Sequence, residues 1–309
     1  MNPLVSVIVP NYNHAAFLDR RMESIFAQTY TDFEIILLDD HSSDISVSIL
    51  ERFRGHAKVT HIVYNEKNSG STFLQWEKGI SLASGKYIWI AESDDFCETD
   101  FLAIAVNRLE GGADLFMGLP LVVDADGTLA GETNPWLDER FPERWKQELS
   151  VDAAREVREM LFVKNTIPNA SAVVFRKTEK LPGYFRTISG MRFCGDWLFW
   201  MLYLLDAKTF SFSPSARTFF RRHPSVTRLQ NAYGERNLEV ARILKFILAH
   251  PLSAGERKFI ERYFFRHHFH VYERKNIRAN FRLALVQVRI SARFLFSWIA
   301  YYSAFSDRG

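Results

Sequence analysis

Cysteine is scarce: among 309 residues only Cys97 and Cys194 occur, and neither belongs to a CxxC pair. A disulfide framework and a cysteine-rich zinc site are thereby excluded, and a reducing compartment fits best. Proline and glycine number only 10 and 15 against 47% hydrophobic residues, which excludes a disordered chain. Two nucleotide signatures are also missing. No GxGxxG and no GxxxxGKS or GxxxxGKT occurs, so hydride transfer and ATP hydrolysis lose their main support. The N-terminal stretch has no basic segment followed by a long apolar one, so no secretion signal is expected and the expected location is the cytoplasm. Internal repeats and low-complexity segments are missing too.

Net charge is small, with 39 basic and 36 acidic side chains, but it is unevenly spread. From Pro251 to Gly309 eleven Lys and Arg face four acids, and the remaining 28 basic and 32 acidic side chains lie in the first 250 residues. An acidic body carries a basic tail.

Residues 4 to 123 alternate short β-rich runs with stretches of helical length. Leu4–Val9, Phe33–Leu38, Val59–Val63, Tyr87–Ala91 and Leu115–Val123 read as strands. Residues 15–28, 44–54, 71–83 and 99–110 read as helices, with Ser69 or Ser71 available to cap the third. Farther on, 150–163 reads as helix, Ala170–Phe175 as strand and Asp196–Leu205 as helix, followed by strands Thr209–Phe212 and Arg217–Phe220. Strand–helix–strand repetition predicts an α/β fold with a mostly parallel sheet flanked by helices. Ligands of such sheets bind beyond the carboxyl ends of the strands. Three polar loops fall there: Pro10-Asn11-Tyr12-Asn13, Asp39-Asp40 and Glu92-Ser93-Asp94-Asp95.

Adjacent carboxylates repel, and a cation is the usual remedy. Asp94 and Asp95 are therefore candidate ligands of a hard divalent ion, Mn2+ or Mg2+, that shares its coordination with substrate phosphates. The plain alternative is a solvated turn in which Asp95 or Ser93 caps the next helix. Tyr12, after Pro10, offers an aromatic face to a base, and Asp39 or Asp40 an acceptor for a base N–H or ribose hydroxyl. Gly70 precedes a helix whose free N–H groups suit phosphate. Simple packing, turn capping and a sharp chain entry are the respective alternatives. His14 and His41 sit in ligand-side loops, but their spacing defines no metal set.

In order along the chain, Val5-Ser-Val-Ile-Val-Pro-Asn-Tyr-Asn13, Ser24-Ile-Phe-Ala-Gln-Thr-Tyr30, Phe33 to Asp40 and Ala91-Glu-Ser-Asp-Asp95 resemble the family 2 glycosyltransferases of the GT-A fold. The resemblance implies a nucleotide-diphospho-sugar transferase domain over 1–224 and leaves a helical, basic and aromatic extension over 225–309. It implies inverting transfer of a sugar from a UDP-, GDP- or dTDP-linked donor to a hydroxyl of a glycan or lipid-linked acceptor, as in cell-surface polysaccharide or lipopolysaccharide assembly. Tyr12, Asp39 and Asp40 would surround base and ribose. Asp94 and Asp95 would form the metal and diphosphate end, with Asp95 the expected direct ligand. Glu92 replaces the usual Asp and would position the turn or touch the donor ribose. Leu74-Gln75-Trp76-Glu77-Lys78-Gly79 stands where many members carry an Arg-Asn pair.

Cys194-Gly-Asp-Trp-Leu-Phe-Trp200 resembles the family's acidic-aromatic motif, which makes Asp196 the expected catalytic base. A hydroxyl attacking the anomeric carbon must lose its proton, and a carboxylate within hydrogen-bond reach can take it. Capping of the following helix is the alternative role for Asp196, compatible with the first. Asn165 to Phe175 and Arg221-Arg222-His223-Pro224 look like the family's acceptor-side strand and closing segment. Asn169, Trp197, Arg222 and His223 are the expected acceptor or pyrophosphate contacts.

Residues 236–249 and 254–270 read as helices. Beyond them Arg278, Arg282, Arg289 and Arg293 are spaced to share one helical face, beside an apolar face ending in Trp298. That pattern suits an anionic membrane surface; packing on the body or on a second subunit is the alternative. The thirteen uncharged residues from Phe294 to Ser306 are too few to span a bilayer. Without a nucleic-acid motif beside the basic residues, no nucleic-acid partner is expected. A sugar-phosphate nucleotidyltransferase and a non-catalytic glycan- or nucleic-acid-binding protein remain the competing functions. The first lacks its usual glycine-rich, basic loop near the first strand.

Overall fold

Short runs rich in Val, Ile, Leu and aromatic residues form the strands of a sheet flanked by helices. In a computed structural model, which describes residues 3–131, 137, 140–223 and 233–269, four such runs lie parallel. They are β1 (Val5–Asn11), β2 (Phe33–Asp39), β3 (Val59–Tyr64) and β4 (Tyr87–Ile90), in the order β3-β2-β1-β4. Every residue of β1, β2 and β4 is buried. The connections are α1 (Ala15–Phe26), α2 (Ser46–Glu51) and α3 (Thr72–Leu82). α1 turns Leu18, Arg21, Met22 and Ile25 inward, the three-and-four spacing of one helical face. Ser71 sits at the start of α3 without a side-chain cap, and the nearby Ser69 hydroxyl donates to Asp40.

Beyond β4 the sheet becomes mixed. β8 (Val173–Arg176) enters antiparallel between β4 and β6 (Leu115–Val123), and β9 (Thr209–Arg221) runs parallel to β6. β5 (Phe96–Cys97) and β7 (Leu149–Asp152) pair antiparallel with β9. α4 (Phe101–Glu110) covers this half, its Phe101 lying 5.0 Å from the Trp89 ring and 6.2 Å from Phe116. The α/β fold flanked by helices is thus present, with its parallel strands concentrated where the polar loops were expected.

Several segments differ from the sequence reading. The two strands expected over 209–220 are one, β9, whose register against β6 shifts between Gly118 and Leu119. A Cβ on Gly118 would stand 2.3 Å from the Ala216 carbonyl oxygen, so the close approach requires glycine. The helix expected over 150–163 begins as β7. Asp152 then caps α5 (Ala153–Glu156) by accepting from the Arg155 N–H, and a wider turn, Val157–Leu161, completes it. A helix not anticipated, α6 (Leu181–Ile188), precedes α7 (Gly195–Asp206).

The chain divides into two compact units, Met1–Val226 and Thr227–Gly309. In the second, α8 (Tyr233–Leu248) is followed by α9 (Ala254–Tyr263), which opens on a reciprocal cap between Ser253 and Glu256. Pro224 and the arginine-striped segment from 278 to 309 lie outside the described residues. Among the described residues no helix is long and apolar enough to cross a membrane.

Candidate active site

Because β1, β2 and β4 are parallel neighbours, the loops after them share one edge of the sheet. Asn11 ends β1 and donates from Nδ2 to Asp39 Oδ1 at 2.8 Å. Asp39 also accepts from the Ser42 hydroxyl and N–H, at 2.6 and 2.9 Å. Asn13 adopts a left-handed backbone (φ 55°) and accepts from the Ser43 N–H at 2.7 Å. Asp40 Oδ1 accepts from Asn65, Gln75 and the Ser69 N–H, and Oδ2 from the Ser69 hydroxyl. Both carboxylates expected around base and ribose therefore spend much of their accepting capacity on tying loops together. Gly70, which precedes the helix whose free N–H groups the sequence offers to phosphate, donates its own N–H to Asn68 Oδ1 at 2.7 Å. Tyr12, by contrast, is exposed at 46%.

The acidic turn after β4 is built from inside the protein. Arg21 on α1, fully buried, donates from Nε to the Glu92 carbonyl and from Nη2 to the Ser171 hydroxyl, at 2.8 and 2.9 Å. Ser171 donates to Asp95 Oδ2 at 2.6 Å. Asp95 Oδ2 also accepts from Asn169 Nδ2, and Oδ1 accepts from the Arg221 N–H. Three donors converge on this one buried carboxylate. Arg221, the last residue of β9, further donates to the Asp94 and Ala125 carbonyls. Glu92 Oε1 accepts from the Trp76 indole at 2.7 Å, so the helix lacking an Arg-Asn pair holds the turn through an indole. Burial, and then the Asp94 charge, push the Glu92 carboxyl up to about 8.

Asp94 points elsewhere. Its Oδ2 lies 3.0 Å from His223 Nε2, and ligand atoms of His14, Asp94 and His223 all fall within 4.8 Å of one another. Burial pushes the Asp94 carboxyl up, but the His223 hydrogen bond and the two imidazole charges outweigh it and hold it below the ordinary value. Burial is the leading cause that lowers the His14 pKa, and a neutral imidazole is the form that ligates metals. His14 Nδ1 is 2.8 Å from Ser93 Oγ, and Phe17 packs against both imidazoles. This set of donors is a fit for a divalent cation. The sequence reading found no metal set around His14, because its partners lie 80 and 209 positions away and only the fold joins them.

Asp196 occupies the first turn of α7, but Cys194 is the cap residue, so the side-chain cap weighed above is not formed. Asn165 Nδ2 donates to Asp196 Oδ2 at 3.1 Å. Trp197 is buried and donates its indole N–H to the Leu161 carbonyl. Asn169, also buried, braces Asp95. Arg222 is exposed, while His223 beside it turns inward to Asp94. Arg21 was not singled out from the sequence, and Ser171, Arg221, Trp76 and Asn165 lie in motifs quoted above without a role of their own.

A parallel half-sheet with an acidic turn on its inner strand, continued by antiparallel strands, is the GT-A type of α/β architecture. A Staphylococcus aureus TarS structure in complex with UDP-GlcNAc superposes with TM-score 0.67 at 20% identity, covering 92% of this chain and 80% of that one. A mannosyltransferase of Pyrobaculum calidifontis, in complex with GDP-Man and Mn2+, gives 0.54 at 14% identity, covering 99% and 81%. These likenesses establish the fold. The chain belongs to glycosyl transferase family 2, whose family model matches residues 6–192. Streptococcus pneumoniae glycosyltransferase GlyG is 35% identical over 119 residues, 38% of this chain and 39% of GlyG. Bacillus subtilis TuaG, a putative teichuronic acid biosynthesis glycosyltransferase, is 35% identical over 100 residues, 32% of this chain and 39% of TuaG. The matched stretch spans about two fifths of the length of these relatives.

Proposed function

We propose that the protein is a metal-dependent, inverting glycosyltransferase that carries a sugar from a nucleoside-diphosphate sugar to a hydroxyl of a glycan or lipid-linked acceptor. The observation that carries this reading is the convergence of Asp94, His14 and His223 at the acidic turn. Two imidazole nitrogens and a carboxylate oxygen favour Mn2+ over Mg2+, which prefers oxygen throughout. When bound, the ion supplies Lewis-acid stabilisation of the charge on the departing diphosphate. Asp94, His223 and His14 would hold it. Asp95, assigned as a direct ligand by the family resemblance, instead accepts three protein donors, which supports a bracing role.

Asp196 takes the proton from the acceptor hydroxyl. As that oxygen bonds to the anomeric carbon, the bond from carbon to diphosphate oxygen breaks and the nucleoside diphosphate leaves; attack from the opposite side inverts the centre. Asn165 orients the carboxylate for this step. Tyr12 offers its exposed ring to the base. The UDP-GlcNAc bound in the TarS structure makes UDP-linked sugars the first donors to test. The basic C-terminal stripe supports a place on an anionic membrane surface, where a lipid-linked acceptor would reside.

The test is a screen of nucleotide sugars with Mn2+, reading nucleoside diphosphate release, repeated with a mixture of lipid-linked acceptors. Asp196→Ala is expected to bind donor as the wild type does while transfer falls by about 100-fold or more. Near-wild-type transfer by that variant removes Asp196 as base, and release of inorganic pyrophosphate removes the whole reading.

A further inference from the structure

Ser171 has one proton and two lone pairs to distribute. Its oxygen receives the Arg21 Nη2–H at 2.9 Å and the Glu92 N–H at 3.0 Å, which occupy both lone pairs. The single hydroxyl proton is left for Asp95 Oδ2, the shortest of the three contacts at 2.6 Å. On the serine side the direction of this hydrogen bond is therefore fixed by Arg21 together with the Glu92 N–H, and the Asp95 carboxylate is its acceptor. Ser171 lies in the short turn Ala170–Ala172 before β8, and its own carbonyl accepts from the Trp89 indole at 2.9 Å. Both ends of the residue are pinned.

Arg21 is an unusual residue for its place. It occupies the inward face of α1 beside Leu18, Met22 and Ile25, where an apolar side chain is the rule, and it is fully buried. A buried guanidinium needs acceptors and opposite charge to offset its desolvation. It finds the Glu92 carbonyl, the Ser171 hydroxyl and, across that hydroxyl, the Asp95 carboxylate. The Trp89 ring centroid is 5.6 Å from the guanidinium carbon. One side chain thus grips the turn at Glu92 by the main chain and at Asp95 through Ser171. Between those two grips lies Asp94, whose carboxylate is left to face His14 and His223.

From this geometry we propose that Arg21, acting through Ser171, is the positioning residue of the acidic turn, holding it before any ion arrives in the shape that aims Asp94 at the two imidazoles. The inference rests on the cation site proposed above. It says that ordering of the turn is built into the fold, so that cation binding does not have to supply it.

Two full-length variants test it. Ser171→Ala removes the hydroxyl and leaves every charge in place. Arg21→Lys keeps the cation and loses the planar fork that serves two acceptors at once. Binding of Mn2+ alone, measured by calorimetry or by the signal of free Mn2+ in electron paramagnetic resonance, is expected to weaken about tenfold in each, the loss of one charge-assisted hydrogen bond. The double variant is expected to be no weaker than the worse single one, since both act along one path. In the transfer assay the Mn2+ concentration for half-maximal rate should rise by the same factor, while kcat at saturating Mn2+ returns to within about threefold of wild type. A merely structural defect would lower kcat at every Mn2+ concentration, and that result overturns the assignment. So do unchanged Mn2+ binding in both variants and independent, multiplying losses in the double variant. Failure of the wild type itself to bind Mn2+ or transfer sugar would instead remove the cation site, and the positioning role with it.

Discussion

Changing Asp95 to Asn exchanges one accepting oxygen for an NH2 group, and no orientation of the amide suits what surrounds it. Turned one way, the NH2 meets the Arg221 N–H; turned the other, it meets Asn169 Nδ2 and the Ser171 hydroxyl. A buried donor left facing donors costs about 1–3 kcal/mol. Asp95→Asn is therefore expected to lower unfolding free energy by roughly that amount in a urea titration, with Mn2+ affinity reduced as a consequence. Unchanged stability combined with abolished Mn2+ binding would return Asp95 to the role of ligand. At this scale the sequence was most informative about acids at strand ends: Asp94, Asp95 and Asp196 stand out because carboxylates follow or open apolar elements. It gave no role to Arg21 or Ser171, which lie 150 positions apart and touch only because the fold brings α1 to the short turn before β8. Nothing in either local sequence marks the contact between them. His14 shows the same limit, its loop being legible as ligand-side and its partners not.

Among elements, the strands of the parallel half were legible because they are short runs dominated by β-branched, aliphatic and aromatic residues. β5, with two residues, carries no period at all. α6 was hidden by Leu181-Pro182-Gly183, which reads as a turn; yet proline is well tolerated in a first helical turn, where its missing N–H has no partner to lose. The same neglect of context hides a titrating group at the opposite edge of the sheet. Glu34 on β2 is buried and accepts from Ser6 on β1, Thr60 on β3 and both the N–H and hydroxyl of Ser84 before β4. Burial pushes this carboxyl up, but the donors of Ser6, Ser84 and Thr60 outweigh it and hold it below its ordinary 4.5. A carboxyl depressed by folding contributes stability above its unfolded value and loses it as pH falls through the folded one. Wild-type unfolding free energy should therefore decline on acidification below about pH 4.5. Glu34→Gln should be less stable near pH 7 and show a flatter acid limb, read from parallel urea titrations. Identical acid limbs would show that this carboxylate does not link the strands.

For the molecule as a whole, the uneven charge is the feature that the catalytic chemistry leaves unexplained. The site proposed at the sheet edge draws on acids and imidazoles of the first unit, whereas eleven of the 39 basic residues fall between Pro251 and Gly309. Arg278, Arg282, Arg289 and Arg293 recur at helical spacing in a stretch outside the described residues, so their pattern is known from sequence alone. Near an anionic surface each such cation contributes on the order of 1 kcal/mol, and the attraction decays within a Debye length. Exchanging all four for glutamine (R278Q, R282Q, R289Q and R293Q) keeps the apolar face and the chain length. Binding to phosphatidylglycerol-containing vesicles should then fall by at least about 100-fold, approaching the weak binding expected of wild type at 1 M salt. Transfer to a soluble glycan acceptor should stay within about twofold, since no residue of the proposed site is touched. Transfer to a lipid-linked acceptor on those vesicles should drop with the binding. Equal vesicle binding by both proteins at low salt would remove the stripe as a membrane contact and leave packing against protein as the reason for its apolar face.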